Sequence, residues 1–320
     1  MKKTVCILLV LSILCTATLS CKGRELQSDR ADAPAASGGL MRVLVLGCDR
    51  AASLADCILL FTVDAEAHVV SVLQIPRDTY AEYTSRSYKK INGALNALGI
   101  DGTVAMLEKI LGVDIDAYVT LKPDALVGIV DAIGGIDLSV PVDMDYSDPA
   151  QGLEIHLKAG PTHLDGRAAE QFVRFRSGYV NADLGRLDAQ KLFLQALALK
   201  CSSLSLSQTL SAAMHAMTTV QTNLSLPAAV RLISALRACD AREIPMQTLP
   251  GGAIRGESGA WYYVVNREGA MRAVEELLRP TMPRGEVQFD PDRILDRASD
   301  PRFHRIYEIP EAELGSVLGQ

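Results

Sequence analysis

The sequence predicts an α/β fold in which a mixed central sheet is sandwiched between helices. Short apolar, β-branched runs alternate with segments whose apolar residues recur at helical spacing, and no internal repeat interrupts this order. Two of the runs, residues 57–63 and 68–75, are separated only by the polar turn Asp64-Ala65-Glu66-Ala67. Because so short a connection joins antiparallel strands, these two runs are predicted to form a hairpin within the sheet.

The other elements are predicted in chain order from the same periodicities. Further strands are predicted over residues 41–46, 117–121, 136–140, 243–249 and 261–265. Helices are predicted over residues 103–111, 123–133, 164–172, 183–201, 207–218 and 226–239, with a last helix between Asn266 and Pro280. Gly112 suits the end of the first helix, Pro123 the start of the second, and Ser225 the N-cap of the sixth. The strands on either side of helix 123–133 are interpreted as a β-α-β unit.

The first 21 residues have the pattern of an export signal or membrane anchor. Lys2 and Lys3 precede an uncharged, mostly apolar run that is followed by Cys21. A lipid anchor at Cys21, an uncleaved signal-anchor helix and plain secretion are all open, and each places the rest of the chain outside the cytoplasm. Residues 22–39 are predicted to be a flexible tether, and residues 281–320 a poorly ordered tail after the folded domain at 40–280.

Charge and cysteine content exclude some classes of function. The formal net charge is −6, which argues against nucleic-acid binding, because that usually needs a basic face. The signal contains three of the seven cysteines, and the remaining four lack the paired spacing of a structural zinc site. An even number of cysteines in an exported protein permits disulfides without fixing the pairs among Cys48, Cys57, Cys201 and Cys239.

Two acidic residues stand where the first two strands meet. Asp49 follows the first strand and Asp56 precedes the second, so both carboxylates lie at the same end if these strands are neighbours. Such a pair of oxygen ligands suits Mg²⁺, which leaves other positions to water and phosphate oxygens. The alternative is a pair of acids that only cap or solubilise the loop.

Basic residues are predicted to gather at the same end of the sheet. Pro76 cannot donate to a ladder, so the third strand stops there and Arg77 follows directly, beside Asp56 in the predicted hairpin. Arg174 and Arg176 point the same way if their segment is extended, and Arg186 begins the next helix. Four arginines could bind a pyrophosphate through bidentate contacts. The alternative is ordinary solvated arginines and a surface ion pair.

Seven short motifs occur in order behind the export signal, from about residue 44 to residue 190. They are Gly47-Cys48-Asp49-Arg50, Asp56-Cys57-Ile58-Leu59-Leu60, Ile75-Pro76-Arg77-Asp78-Thr79, Lys90-Ile91-Asn92, Gly134-Gly135-Ile136-Asp137, Leu164-Asp165-Gly166 with Arg174 and Arg176, and Asp183-Leu184-Gly185-Arg186 with Gln190. Each motif alone is weak. Together they resemble the signature of the LytR–CpsA–Psr family, whose members attach glycopolymers to the bacterial cell wall.

The resemblance implies a fold, a reaction and a set of site residues. It implies the family's α/β sandwich over residues 40–280, with a long hydrophobic pocket for a polyprenyl tail. The implied activity is a Mg²⁺-dependent phosphotransfer that moves a polyprenyl-pyrophosphate-linked glycopolymer, such as teichoic acid or capsule, to peptidoglycan at the cytoplasmic membrane. Asp49 and Asp56 match the metal-binding acids. The residues that match pyrophosphate-binding positions are Arg77, Lys90, Asn92, Arg174, Arg176, Arg186 and Gln190.

The predicted catalytic residues are Arg77, Asp78 and Asp56. Metal and arginines together neutralise the charge on phosphate oxygens, as phosphoryl transfer requires. Either Asp78 or Asp56 is a candidate to accept the proton of the attacking hydroxyl.

Three departures from the family pattern leave other functions open. Leu54-Ala55 stand where the family usually has Arg-Ser, and Ala189 stands where it often has another arginine. With one arginine fewer, the set of arginines that holds the pyrophosphate, here called the clamp, would bind more weakly, which would suit a non-catalytic binder of the same lipids. A clamp open to water would suit a pyrophosphatase. The shortened loop is also flanked by Cys48 and Cys57, and a disulfide between them is hypothesised to brace it.

Overall fold

The computed structural model describes residues 40–278 except for residues 52, 82–88, 150–151, 180–182, 226–227, 229–230, 233–238 and 256–259. The predicted export signal, tether and tail, and most of the predicted helix at 226–239, lie outside the described residues. Within the described part of the chain, every helix is too short or too polar to cross a membrane.

The elements are named here in chain order. The strands are β1 (Leu40–Cys48), β2 (Ala55–Asp64), β3 (Val69–Ile75), β4 (Ala117–Leu121), β5 (Ile136–Val140), β6 (Met144–Asp148), β7 (Leu153–Leu157), β8 (Gly160–Leu164), β9 (Val220–Thr222), β10 (Met246–Thr248), β11 (Gly251–Arg255) and β12 (Trp261–Val265). The helices are α1 (Ala94–Leu111), α2 (Pro123–Ala132), α3 (Gly166–Arg174), α4 (Asp183–Cys201), α5 (Leu206–Thr219) and α6 (Arg267–Ala273). A 3₁₀ turn, Ile91–Gly93, precedes α1, and a π-helical turn, Val274–Leu278, follows α6.

A mixed sheet of six strands, in the order β10-β3-β2-β1-β4-β9, forms the centre of the fold. Strand β2 is antiparallel to both of its neighbours, and the predicted β2–β3 hairpin is confirmed by the pairing of Ile58 with Ile75. Strand β4 is parallel to β1. The ends of β1, β3 and β4 and the start of β2 therefore lie along one edge of the sheet.

The predicted β-α-β unit around α2 is wrong. Strand β4 belongs to the central sheet, whereas β5 pairs antiparallel with β8 in a separate two-stranded sheet, and β6 pairs with β7 in another. The chain turns away after α2 at Gly134 and Gly135, whose φ angles are +77° and +75°. Strands β6 and β7 were not predicted because their charged, outward-facing residues dilute the apolar signal, and β8 was not predicted because it begins with Gly160 and Pro161.

Each face of the central sheet covers its own hydrophobic core, as the predicted sandwich requires. Along β1, Met41 and Val43 pack on one face with residues of α2 to α5, and Leu44 and Leu46 pack on the other with residues of α1 and α6. This alternation follows from the period of two in a strand. Helix α1 begins nine residues before the predicted start, with a break at Gly99, whose φ is +70°.

The hypothesised Cys48–Cys57 disulfide is wrong, because both cysteines are free. Gly47 and Cys57 are partners across the β1–β2 ladder, so Cys57 points to the face that Gly47 leaves open. Cys48 is the next residue of β1 and points into the core on the opposite face. Burial raises the pKa of the Cys48 thiol to about 12 and of the Cys57 thiol to about 11, so both stay protonated at neutral pH.

Gly166→Ala should destabilise the protein, because α3 begins in close contact with α2. A Cβ atom at position 166 would lie 2.2 Å from the backbone oxygen of Val127. We expect the free energy of unfolding, measured by urea denaturation, to fall by about 1–3 kcal/mol. The exposed variant Ser139→Ala is the control. Equal stability of the two variants would show that α3 can shift without cost.

Candidate functional site

A pocket of about 590 Å³ lies between one face of the central sheet and helices α2 to α4. Strands β1, β2 and β4 form its floor, where Val45, Leu59 and Val119 are adjacent residues of the ladder. The helices supply the facing side chains, among them Ile129 from α2 and Phe193 from α4. A cavity of this size and composition is typical of an apolar ligand site.

The pocket is apolar along its floor and charged at one end. From Val43 to Gly47 the floor advances four residues, about 13 Å at roughly 3.3 Å per residue. Directly beyond Gly47 and its partner Cys57, the pocket is lined by Asp49 and Asp56. We call this charged end the mouth. Its basic residues are Arg77, Lys122, Arg174, Arg176 and Arg186.

Arg77 lies at the mouth, as the predicted hairpin requires. Its Nη1 atom is 2.6 Å from Oδ1 of Asp56. The Thr79 amide and hydroxyl both donate to the carbonyl of Pro76, at 3.0 and 2.6 Å, which closes a tight turn after β3. This turn fixes the backbone from which the guanidinium extends.

Lys90 and Asn92 contact the turn that contains Arg77. The Asn92 amide donates to the carbonyl of Arg77 at 3.1 Å, and Lys90 Nζ is 3.0 Å from Oδ1 of Asp78. None of these three side chains, Lys90, Asn92 and Asp78, lines the pocket among the described residues. They therefore lie beside the Arg77 turn and outside the pocket lining, although Oδ1 of Asp78 is 4.0 Å from Nε of Arg77.

The carboxylate of Asp183, the first residue of α4, holds three of the arginines. Its Oδ1 atom lies 3.0 Å from Nη2 of Arg186, 3.2 Å from Nε of Arg176 and 3.6 Å from Nε of Arg77. Burial, and then the neighbouring charge of Arg77, lower the pKa of Arg186, which nevertheless stays protonated at physiological pH. This role of Asp183 was not predicted from the sequence, because the residue was identified only as the start of a helix.

A second buried carboxylate orients the remaining arginine. The Glu170 side chain is 2% exposed, and its Oε1 atom lies 2.9 Å from Nη1 of Arg174 and 2.7 Å from Nη2 of Arg50. Helix α3 ends at Arg174, and Phe175 then takes an extended conformation and is buried. Arg174 and Arg176 both line the pocket in consequence.

The two predicted metal-binding acids lie together at the mouth, but Asp49 also closes its own loop. Its carboxylate accepts hydrogen bonds from the Ser53 amide at 2.7 Å, the Leu54 amide at 3.2 Å and the Ser53 hydroxyl at 2.8 Å. Among the described residues, no group of three acidic, histidine or cysteine side chains forms a complete metal site. Asp49 and Asp56 therefore fit a cation such as Mg²⁺ only if phosphate oxygens and water complete its coordination.

Two positions of α4 differ from their expected roles. Gln190 lines the pocket, but its amide accepts from Gln74 at 3.0 Å and donates to the carbonyl of Val173 at 3.2 Å. Ala189 is buried in the core and does not line the pocket. The mouth keeps its four arginines without a basic residue at position 189, so the expected weakening of the clamp does not follow from the structure.

Tyr179 is a further mouth residue that the sequence analysis missed. It follows Arg176 in the chain and lines the pocket. Its ring packs edge-on against Phe175, with 5.4 Å between the ring centroids. Gly185 leaves room for it, since a Cβ atom at position 185 would lie 2.4 Å from Cβ of Tyr179. Within the described part of the chain its buried hydroxyl has no hydrogen-bond partner. Burial raises the pKa of Tyr179 to about 12, so the hydroxyl keeps its proton and can donate.

A model of the LytR_cpsA_psr family matches residues 16–279. The chain belongs to the LytR–CpsA–Psr family. The resemblance inferred from the seven motifs is thereby confirmed, and so is the fold that it implied.

This LytR–CpsA–Psr chain is similar to teichoic acid transferases named for their action on peptidoglycan. It is 31% identical over 232 residues to the polyisoprenyl-teichoic acid–peptidoglycan teichoic acid transferase TagV of Bacillus subtilis (strain 168), a match of 70% of this chain and 59% of TagV. It is 31% identical to TagU of Bacillus mycoides (strain KBAB4), covering 70% of this chain and 73% of TagU. The crystal structure of B. subtilis TagV covers 76% of this chain and 99% of the TagV chain, with 26% identity and a TM-score of 0.64.

Asp183→Asn should destabilise the ligand-free protein, because three guanidinium groups would lose their shared counter-charge. We expect a loss of about 1–3 kcal/mol in the free energy of unfolding. Inorganic pyrophosphate should restore more thermal stability to this variant than to the wild type, because the anion replaces the missing carboxylate. The control is Asp188→Asn, which removes an exposed carboxylate of the same helix that pairs with Lys191. A variant as stable as this control would contradict the role of Asp183.

Tyr179→Phe should stabilise the free protein and weaken binding of an anion at the mouth. The substitution removes a buried hydroxyl that has no partner among the described residues, which costs about 1 kcal/mol or more in the folded state. Loss of one hydrogen bond to bound inorganic pyrophosphate should reduce its affinity about tenfold, as measured by calorimetry. Ser203→Ala, which removes an exposed hydroxyl just after α4 and outside the pocket lining, is the control. Unchanged pyrophosphate affinity of Tyr179→Phe would exclude contact between this hydroxyl and an anion bound at the mouth.

Proposed function

We propose that this protein transfers a glycopolymer from a polyprenyl-pyrophosphate carrier to peptidoglycan. The observation that carries the proposal is the combination, in one pocket, of a long apolar floor and a mouth with four arginines. A polyprenyl pyrophosphate has the matching arrangement, because its apolar chain ends in a pyrophosphate. The tail would occupy the region around Val45, Phe61 and Phe193, and the phosphates would lie between Arg77 and Arg174.

The arginines are suited to a pyrophosphate in charge and in geometry. Three of them contact Asp183 through a single nitrogen each, Nε of Arg77, Nε of Arg176 and Nη2 of Arg186. Apart from Nη1 of Arg77, which pairs with Asp56, the remaining guanidinium nitrogens can donate to phosphate oxygens. Asp183 and Glu170 thus position the clamp without neutralising all of its donors.

The names of the relatives support the same class of substrate. TagV and TagU are named as transferases that move teichoic acid from a polyisoprenyl carrier to peptidoglycan. Because the match spans only 59% of the length of TagV, the activity and the polymer are proposals for this chain. Teichoic acid is the polymer that these relatives favour.

In the proposed reaction, a peptidoglycan hydroxyl attacks the phosphorus that carries the glycopolymer. A new P–O bond forms to peptidoglycan, the bond from that phosphorus to the bridging oxygen breaks, and polyprenyl phosphate leaves. Arg77, Arg174 and Arg186 stabilise the negative charge that develops on the bridging and terminal oxygens. The hydroxyl proton passes to solvent at the open mouth, or to Asp56 when that carboxylate holds no cation. Asp78, the other candidate base, is bound to Lys90 outside the pocket.

Mg²⁺ is part of the proposal, with Asp49 and Asp56 as its protein ligands. When bound, the cation would neutralise charge on the phosphate oxygens of the substrate. Both carboxylates line the same mouth, which supports this assignment. The proposed substrates also suit a location on the outer side of the cytoplasmic membrane, to which the predicted export signal or lipid anchor at residues 1–21 would attach the domain.

Hydrolysis of the same lipid substrate is the second candidate function. The mouth is open to solvent, since the Arg176 side chain is 47% exposed and that of Asp56 is 40% exposed. Water can therefore reach the position proposed for the acceptor hydroxyl. An assay with lipid donor and Mg²⁺, with and without peptidoglycan, separates the candidates, because transfer gives joined polymer and hydrolysis gives free polymer phosphate. Tight binding without either product would indicate a non-catalytic binder.

Arg77→Ala should lower kcat/KM for transfer about 100-fold or more, because it removes a buried donor to the developing charge. Arg77→Lys keeps the charge but loses the planar fork, so it should also be impaired. The assay follows the joined product from a radiolabelled lipid donor, and omission of Mg²⁺ in the same assay tests the cation.

The control for Arg77 is Arg272→Ala, which changes an exposed arginine of α6 on the other side of the sheet. It should retain wild-type turnover. If Arg77→Ala also turns over at the wild-type rate while both proteins are folded, Arg77 has no part in the chemistry.

A further inference from the structure

The β11–β12 hairpin lies directly against the Arg77 turn. The Tyr263 amide donates to the carbonyl of Asp78 at 2.9 Å, and the Tyr80 amide donates to the carbonyl of Tyr263 at 2.8 Å. Thr79 and Tyr263 are thus partners in a short parallel bridge. In this register, residues that precede Tyr263 in β12 extend along the turn toward Arg77.

Trp261 begins β12 at this location and is the most exposed large apolar side chain among the described residues, at 56%. It lies two residues before Tyr263, about 7 Å along the strand at roughly 3.3 Å per residue. Its partner across the hairpin is Arg255, which is also exposed. Directly paired side chains share a face of a two-stranded sheet, so an indole and a guanidinium lie side by side on this surface.

Contacts of Tyr262, on the opposite face of the hairpin, anchor the hairpin beside the site. Tyr262 packs edge-on against the buried ring of Tyr80, with 5.6 Å between centroids. Lys90 lies 5.9 Å from the centroid of Tyr262 and pairs with Asp78. Asp78 directly follows Arg77, so one continuous set of contacts joins the exposed hairpin to the mouth of the pocket. A single surface leucine would need no explanation, but an exposed indole on a hairpin that is anchored beside the Arg77 turn is suited to a binding role.

We propose that Trp261 and Arg255 bind the glycan strand that accepts the transferred polymer. This inference rests on the proposed transfer to peptidoglycan and adds the place where the acceptor binds. A pyranose ring presents an apolar C–H face, which can stack on the exposed indole, and hydroxyls and carboxylates at its edge, which can accept from Arg255. Because the proposed lipid tail fills the pocket, the acceptor has to approach the phosphates from the outer surface.

A membrane surface is a different partner with which an exposed tryptophan and an arginine are also compatible. Helices or hairpins that lie in a membrane interface present several apolar side chains on one continuous face. Here the neighbours on the same face of the hairpin, Ala253 and Tyr263, are respectively small and buried. One isolated aromatic side chain beside a cation fits a sugar ring better than it fits a bilayer.

Intrinsic fluorescence tests binding directly, because Trp261 is the only tryptophan of the chain. The full chain in detergent is titrated with soluble, uncross-linked peptidoglycan glycan strands and, separately, with phosphatidylglycerol vesicles. We expect a saturable change in emission with the glycan and none with the vesicles. A change with vesicles alone would assign the surface to the membrane, and no change with either would also overturn the proposal.

Kinetics test the role in transfer. Trp261→Ala should raise KM for the glycan acceptor about tenfold, in the range of an aromatic contact residue, and leave KM for the lipid donor unchanged. Trp261→Phe, which keeps an aromatic face, should recover much of the loss. The control is Leu199→Ala, which truncates another exposed apolar side chain on the outer side of α4.

The outcomes separate this inference from the function on which it rests. If the wild type transfers polymer and Trp261→Ala transfers it with unchanged acceptor KM, the acceptor site is wrong and the transferase stands. If the wild type transfers nothing yet its fluorescence responds to glycan, the acceptor site is supported and the transfer reaction is not. Thermal unfolding of each variant verifies that the exposed substitutions leave the fold intact.

Discussion

The site depends on one constraint, which is that several positive charges have to be held at the end of an apolar pocket. Like charges repel strongly where water is scarce, and the burial of a guanidinium is itself unfavourable. Asp183 meets this constraint for Arg77, Arg176 and Arg186, and Glu170 meets it for Arg174. Asp183 also lies in the first turn of α4, where the helix dipole favours a carboxylate.

The order of strands in the sheet determines where these charges can act. Because β2 is antiparallel to both neighbours, the start of β2 and the ends of β1 and β3 meet at one edge, which brings Asp49, Asp56 and Arg77 together. Inward-facing residues of the same strands form the apolar floor. Gly47 belongs to both parts, since a Cβ atom there would lie 2.9 Å from Cβ of Cys57, at the boundary between floor and mouth.

Much of the site could be predicted because several of its contacts depend on segments that are close together in the sequence. The hairpin turn fixed the approach of Arg77 to Asp56, and the helix boundary fixed that of Arg174 and Arg176. The counter-charges could not be predicted in the same way. The Arg50–Glu170 contact spans 120 residues, so no local pattern in the sequence indicates it. The β5–β8 pairing was missed because it depends on glycine turns after α2, and sequence periodicity does not record where a strand finds its partner.

The two proposed substrates meet very different surfaces, and this difference bears on specificity. The lipid donor would be enclosed by the sheet and three helices, with its phosphates held by arginines that are themselves fixed by buried carboxylates. The acceptor would bind at the open outer surface of the mouth, here called the rim, where the described structure has an exposed hairpin and a few polar groups. Enclosure gives affinity and selectivity for the donor, whereas an open rim suits an acceptor that is part of a large polymer. Water has the same access as the acceptor, so the balance between transfer and hydrolysis depends on how long a sugar ring stays on that rim.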